Sequence, residues 1–248
     1  HAVVGRGVAV ADSTQRDTHD FRLTAEELPT DAPAAPADGR HVPLAYALRP
    51  RRLEDIVGQR HLLAPGALLE RAIRTDTLTS AIFYGPPGTG KTTLAEVIAL
   101  MTQRAFYRLS AVAASIQDVR RVIGLGRQTR HDGRSGIVLF LDEIHRFNKA
   151  QQDVLLPWVE NGTLVLIGAT TENPFFALNA ALLSRSRIFQ FTPLSVDDIV
   201  ALLQRALADS ERGLGADAAA VAAEALTFLA TACDGDARVA LTALELAV

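Results

Sequence analysis

Residues 85–93 read GPPGTGKTT, and residues 137–143 read IVLFLDE. In the first stretch, Gly85, Gly90, Lys91 and Thr92 keep the spacing G-x-x-x-x-G-K-[ST], between an apolar run and a helical pattern. That context is the one in which such a loop wraps phosphate with backbone N–H groups and adds the positive end of the following helix. Pro86, Pro87, Gly88, Thr89 and Thr93 complete the loop and its first helical turn. Lys91 offers a compact charge to the β- and γ-phosphates of a nucleotide, where a planar guanidinium fits poorly. The Thr92 hydroxyl suits Mg²⁺. Lys91 and Lys149 are the only lysines in a chain whose other bases are arginines.

The second stretch sets two acids at the end of a doubly buried strand. Adjacent carboxylates repel and resist desolvation, so the arrangement needs a use. Asp142 is placed to hold the metal beside Thr92, directly or through water. Glu143, one residue on, points elsewhere and can polarise a water aimed at the γ-phosphate. A bound cation eases the repulsion between them.

The rest of the chain must position these groups. Up to about Arg40 the texture is Pro, Ala and Asp, as in LPTDAPAAPADGR, which reads as an unpacked tail over 1–42. SAIFYG, AFYRLS, GIVLFLD, TLVLIGAT and RIFQF read as strands. PGALLERAIRTD, KTTLAEVIALMTQ, SIQDVRRVIG and AQQDVLLPWVE read as the helices between them. The alternation predicts an α/β core over 43–193 with a parallel sheet covered on both faces. After Pro193 the strands stop. SVDDIVALLQRALADS, DAAAVAAEALTFLATA and GDARVALTALELAV predict a small helical domain over 194–248, with Ser195 as an N-cap ahead of Asp197 and Asp198.

Bulk composition narrows the partners. The 248 residues are 48% hydrophobic and 21% charged, with a formal net charge of −3. Any nucleic-acid contact must therefore come from local clusters such as Arg146, Asn148, Lys149, Gln151 and Gln152, or Arg120 and Arg121. No apolar run approaches the roughly 20 residues that span a bilayer, so no membrane partner is expected. Cys233 is the only cysteine, which suits a cytoplasmic protein, and no metal-ligand spacing of His and Cys is present. The chain does not start with Met and has no signal-peptide pattern, so its first residue is expected to be a processed or fragment end.

In their order and spacing, the phosphate loop, LFLDE, IGATTENP, LLSRSR and GDARVAL resemble the AAA+ ATPases. PLAYALRPRRLEDIVGQRHLL, DEIHRFNKAQQD and GATTENPFFALNAALLSRSR resemble more narrowly the RarA/MgsA replication-associated recombination ATPases, over roughly 43–248. The resemblance implies an AAA+ core with a five-stranded parallel sheet in the order 5-1-4-3-2 and a small all-α lid. By motif position it implies Thr171 as the sensor of the γ-phosphate, with Asn173 close enough to share that work. Arg185 matches the finger that reaches a neighbouring subunit, with Arg187 as the alternative. Arg238 matches the lid sensor, and Ile56 and Val57 of IVGQ match the adenine wall. Ser110 is a candidate to pair with Glu143 when the site is off. His145 reads either as part of a helicase-like box or as a core-facing ring, and Trp158 as a packed helix aromatic.

The implied activity is Mg²⁺-dependent ATP hydrolysis coupled to DNA remodelling at stalled or gapped replication forks. A clamp-loader or branch-migration subunit, and a nucleotide-gated scaffold with little turnover, remain as alternatives. The implied partners are gapped or forked DNA with single-strand/double-strand junctions, further copies of the chain, and a single-strand-binding protein at the nucleoid. Three departures stand out. Phe175 occupies a position expected to be small and polar. Gly124 and Gly126 threaten a helix, at roughly 1 kcal/mol each relative to Ala. Val248 precedes the C-terminal oligomerisation domain that the resemblance leads one to expect.

Overall fold

The computed structural model describes residues 42–131, 136–215 and 221–248, without the side chains of 127–131. The expected tail over 1–42 lies outside the described residues except for Val42. Every run read as a strand is one: β1 (Ala81–Tyr84), β2 (Ala105–Ser110), β3 (Ile137–Asp142), β4 (Leu164–Thr170) and β5 (Arg187–Gln190). They form one five-stranded sheet in the order β2-β3-β4-β1-β5, all neighbours parallel. Read from the other edge this is the expected 5-1-4-3-2.

Around the sheet run α1 (Leu44–Ala47), α2 (Arg60–Leu63), α3 (Leu68–Arg74), α4 (Lys91–Met101) and α5 (Ile116–His131). They are followed by α6 (Lys149–Asp153), α7 (Leu156–Glu160), α8 (Pro174–Ala177) and α9 (Ala180–Ser184). Last come α10 (Val196–Ala208), α11 (Ala223–Ala232) and α12 (Ala237–Ala247). Side chains alternate across a strand, so each central strand feeds two cores. Ile82, Leu139, Leu141 and Leu166 meet Val119, Val122 and Ile123 of α5 on one face. Phe83, Val138, Phe140 and Ile167 meet Leu94, Val97 and Ile98 of α4 on the other. A third cluster joins α10, α11 and α12, and draws in Leu44 and Leu48 from ahead of the sheet. No helix among the described residues is long and apolar enough to cross a membrane.

Two expectations about helices change. Gly124 and Gly126 do not break α5, which runs unbroken to His131. A Cβ at Gly126 would lie 2.8 Å from Ile137 Cδ1, so the glycine lets the helix lie close on β3. AQQDVLLPWVE divides into α6 and α7, because Pro157 lacks an N–H and its ring crowds the carbonyl four residues back. Ser195 does cap α10, in a reciprocal box with Asp198.

Candidate nucleotide site

The C-terminal ends of β1, β3 and β4 open on a cleft of ≈ 230 Å³. Pro87, Gly88, Thr89, Gly90, Lys91, Thr92 and Thr93 line it from the loop between β1 and α4. Asp142, Glu143 and Thr171 line it from the strand ends, and Arg238 from the start of α12. Most of the residues that sequence placed together thus meet at one cleft, whereas Gly85, Pro86 and Arg185 do not line it.

Lys91 is buried, and its ammonium donates to Gly85 O and Pro86 O, each at 2.7 Å. Gly85 and Pro86 therefore turn their carbonyls to the lysine rather than lining the cleft. Burial pushes the Lys91 ammonium below its ordinary value, and the charges of Glu143 and Asp142 pull it partly back. A buried cation whose hydrogen bonds go to carbonyl dipoles is ready to exchange them for a full negative charge. Thr92 Oγ1 donates to Asp142 Oδ2 at 3.2 Å. These are two hard oxygen donors side by side at a phosphate loop, a set that suits Mg²⁺, which keeps several waters and takes few protein ligands.

Glu143 has φ 53°, ψ 42°, the left-handed region that residues other than Gly, Asn and Asp seldom adopt. Its amide donates to Asp142 Oδ1 at 3.1 Å. That backbone turns the Glu143 side chain away from the direction that β3 would otherwise dictate. Its carboxylate meets His145 rather than Ser110, whose strand position pairs in register with Asp142. The expected Ser110–Glu143 pair is therefore absent among the described residues. His145 is neither helicase box nor plain core filler: its ring lies between Glu143, Thr170 and Glu172.

Thr171 is exposed at the mouth of the cleft. Asn173 does not line the cleft, and its side-chain oxygen caps α8 by accepting from Phe175 N at 3.0 Å. Phe175 and Phe176 stand out into solvent, so the large side chain at the first of them meets no packing demand. Arg185 and Arg187 lie away from the cleft. Arg187 pairs in register with Ala81, at the opposite end of β1 from the phosphate loop, and Arg185 lies two residues further back. The Arg185 guanidinium binds Ala181 O at 2.8 Å and Glu160 Oε1 at 2.6 Å, and stays exposed. Neither arginine reaches its own nucleotide site.

Most of the remaining lining is apolar, with Arg49 and Asp55 as its charged members. Ile56 and Val57 belong to it, joined by Ala45, Leu48 and Pro50, and by Leu194, Leu202 and Leu241 of the helical unit. This lining is drawn from two parts of the chain at once. The unit also meets the loop directly: Ala237 N donates to Gly88 O at 3.2 Å, and Asp236 caps α12 through Arg238 N and Val239 N. A Cβ at Gly88, where φ is +68°, would fall 1.9 Å from Asp236 Oδ1.

A model of the family described as ATPase family associated with various cellular activities (AAA) matches residues 81–194. Replication-associated recombination protein A of Escherichia coli K12 is 49% identical over 210 residues, covering 85% of this chain and 47% of that protein. The chain belongs to the AAA ATPases, on the branch of these recombination proteins. ATPase WRNIP1 of Dictyostelium discoideum is 44% identical over 83% of this chain and 23% of its own length. Among solved structures, the Thermotoga maritima RuvB Holliday junction branch migration motor superposes with a TM-score of 0.65 at 29% identity, covering 80% of this chain and 64% of that one. The chain spans about half the length of the curated bacterial relatives it matches.

For an AAA ATPase the motifs were the legible part, and the supports were not. Gln59 is buried with φ 51°, and its amide donates to Thr89 O at 3.2 Å and Thr192 O at 2.7 Å. It also accepts from Thr192 N at 3.1 Å, so it ties the phosphate loop to the exit of β5. Arg49 and Arg108 both reach Glu96 of α4, and Arg108 stands 3.7 Å from Asp142 Oδ2. Of the suspected DNA-facing residues, Asn148 and Gln151 cap α6, and buried Gln152 bonds Phe147 O, Ala177 O and Asn179 N. That leaves Arg146 and Lys149 exposed in this segment, and Arg120 and Arg121 exposed on α5.

Proposed function

We propose that the chain binds ATP with Mg²⁺ and hydrolyses it to ADP and phosphate, in the service of replication-associated recombination on DNA. The observation that carries this reading is the convergence of Lys91, Thr92, Asp142, Glu143, Thr171 and Arg238 on one cleft whose remaining lining is mostly apolar. Lys91 leaves the Gly85 and Pro86 carbonyls for the β- and γ-phosphates. Thr92 and Asp142 hold the metal, which when bound offsets charge on the phosphates. Glu143 takes the proton of the attacking water as its oxygen bonds the γ-phosphorus and the bond to the β-γ bridging oxygen breaks. Thr171 orients that water. Arg238 rides on the helical unit over 194–248, which serves as a lid because the Ala237 amide at the start of α12 already donates to Gly88 O of the phosphate loop.

Arg185 completes the site of a neighbouring copy, since it cannot reach its own. A second cation is needed where charge spreads over the γ-phosphoryl oxygens. The 49% identity to replication-associated recombination protein A supports a task in recombination at replication; gapped or forked DNA at the nucleoid is the form of that task proposed here. A branch-migration task is the second reading, supported by the 29% identity to RuvB. DNA contact falls to the phosphates, through Arg146 and Lys149.

The deciding experiment compares Lys91→Ala with Glu143→Gln. The first loses ATP binding. The second keeps binding and loses hydrolysis, because an amide keeps the shape of the side chain but takes no proton. Equal loss of nucleotide affinity in both overturns the division of roles. Turnover measured without DNA and with gapped or forked DNA tests the coupling.

A further inference from the structure

Glu143 does not hang free in the cleft. His145, its side chain only 5% exposed, stands with Nδ1 3.3 Å from Glu143 Oε2 and 2.9 Å from Thr170 Oγ1. Its Nε2 is 3.6 Å from Glu172 Oε1, beyond hydrogen-bond reach. A buried polar ring is costly unless its nitrogens are used, so Nδ1 is the atom that makes the site worthwhile. An ionised carboxylate only accepts, so Nδ1 carries the proton wherever it bonds Glu143. Thr170 Oγ1 already accepts from Glu172 N at 3.0 Å and lies 3.3 Å from Glu172 O, which leaves it a lone pair for the same N–H. The one nitrogen thus faces both the water-activating carboxylate, at 3.3 Å, and a hydroxyl rooted at the end of β4, to which it is hydrogen-bonded. The next residue after that hydroxyl is Thr171, in the cleft.

Building on the hydrolytic reading above, we infer that His145 is a positioning residue for Glu143. It parks the carboxylate, through Nδ1, against the turn that carries Thr171. The Glu143 contact is the longer of the two and gives way when nucleotide and water arrive, while the Thr170 hydrogen bond keeps the ring in place. The left-handed backbone at Glu143 makes this necessary: with the chain turned off the strand path, the side chain needs a second support to return to one place. The same link makes the position of Glu143 depend on the turn after β4, so that movement of Thr171 toward the γ-phosphate and release of the carboxylate occur together.

The test is a series at His145 in the full chain: Ala, Asn and Gln, with Glu143→Gln as reference. The Asn amide nitrogen stands the same number of bonds from Cα as Nδ1, and the Gln amide nitrogen the same number as Nε2. His145→Ala is expected to lower kcat by about 10- to 100-fold, the scale of a catalytic group misplaced by about 1 Å. Nucleotide Kd, read with a fluorescent ATP analogue, is expected to stay within about twofold. Asn should recover most of the lost kcat and Gln little of it, although Gln fills the space better. The inference is overturned if Ala keeps kcat within twofold, if Kd weakens in proportion to kcat, or if Gln recovers as much as Asn. Should Ala fail to fold by thermal melting, the Asn–Gln contrast decides alone. If Glu143→Gln itself turns over normally, the hydrolytic reading fails; if it is dead while the His145 series is flat, only the role of His145 fails.

Discussion

Replacing Gln59 isolates how the phosphate loop is held to the rest of the fold. Gln59 is 4% exposed and makes three hydrogen bonds, two to Thr192 and one to Thr89 O. At about 1 kcal/mol net for each, Gln59→Met should lose about 3 kcal/mol, since its unbranched side chain keeps the volume and leaves the backbone groups at Thr89 and Thr192 unmatched. For a domain of this size that is a fall in Tm of about 6–12 °C. Gln59→Ala should lose more, by the cavity it adds. Gln59→Glu should be the worst, because it keeps the acceptor for Thr192 N but turns a buried carboxylate toward two carbonyls. Urea unfolding monitored through Trp158 gives the stability loss, and ADP titration gives the second readout. Because Thr89 belongs to the phosphate loop, ADP affinity should fall with stability across the series. A Gln59→Met protein within 1 kcal/mol of the parent, or one with unchanged ADP affinity, refutes the role of these bonds.

Further perturbations test other links. Lys91 has a lowered ammonium pKa, and the triphosphate favours its charged form. ATP affinity should therefore fall as pH rises through that lowered value, below the ordinary lysine range near ~10.4, and isothermal titration should not show this fall for Lys91→Arg. The sign reverses for the nucleotide-free fold: protonating Lys91 costs folding energy, so its stability should rise with pH between the lowered folded value and the unfolded one, as followed by thermal melting. Gly124→Ala should stabilise the chain by about 1 kcal/mol, because nothing lies within 4 Å of its Cβ, whereas Gly126→Ala should gain nothing against Ile137; denaturant melts distinguish them. Glu143→Gln and Arg185→Ala, each inactive alone, should regain part of the ATPase rate when mixed at high concentration. No recovery would mean that Arg185 does not act across subunits, and Arg187 becomes the next residue to test.

Sequence alone determined the five strands and the residues of the phosphate loop and acidic pair. These signals are local: alternating or continuous apolar runs mark strands, and a phosphate loop needs its glycines, lysine and threonine within nine residues. It also placed Ser195 at the start of α10, because a cap acts within one turn. What it could not supply were contacts between distant segments. The apolar lining of the cleft joins Leu48 and Ile56 to Leu194, Leu202 and Leu241, which meet only once the helical unit packs on α1. Gln59 reads as an ordinary polar residue until its amide is seen bridging Thr89 and Thr192, which lie 30 and 133 residues away. Gly126 looked like a helix breaker because local propensity counts its backbone entropy but not the side chain of Ile137 lying against it. His145 left two readings open, and only the arrival of Thr170, 25 residues later, beside the turned backbone of Glu143 decided which atoms its ring would serve. Chemistry that depends on residue type and short spacing is written along the chain, whereas the groups that hold that chemistry in place are chosen by packing, and packing exists only in three dimensions.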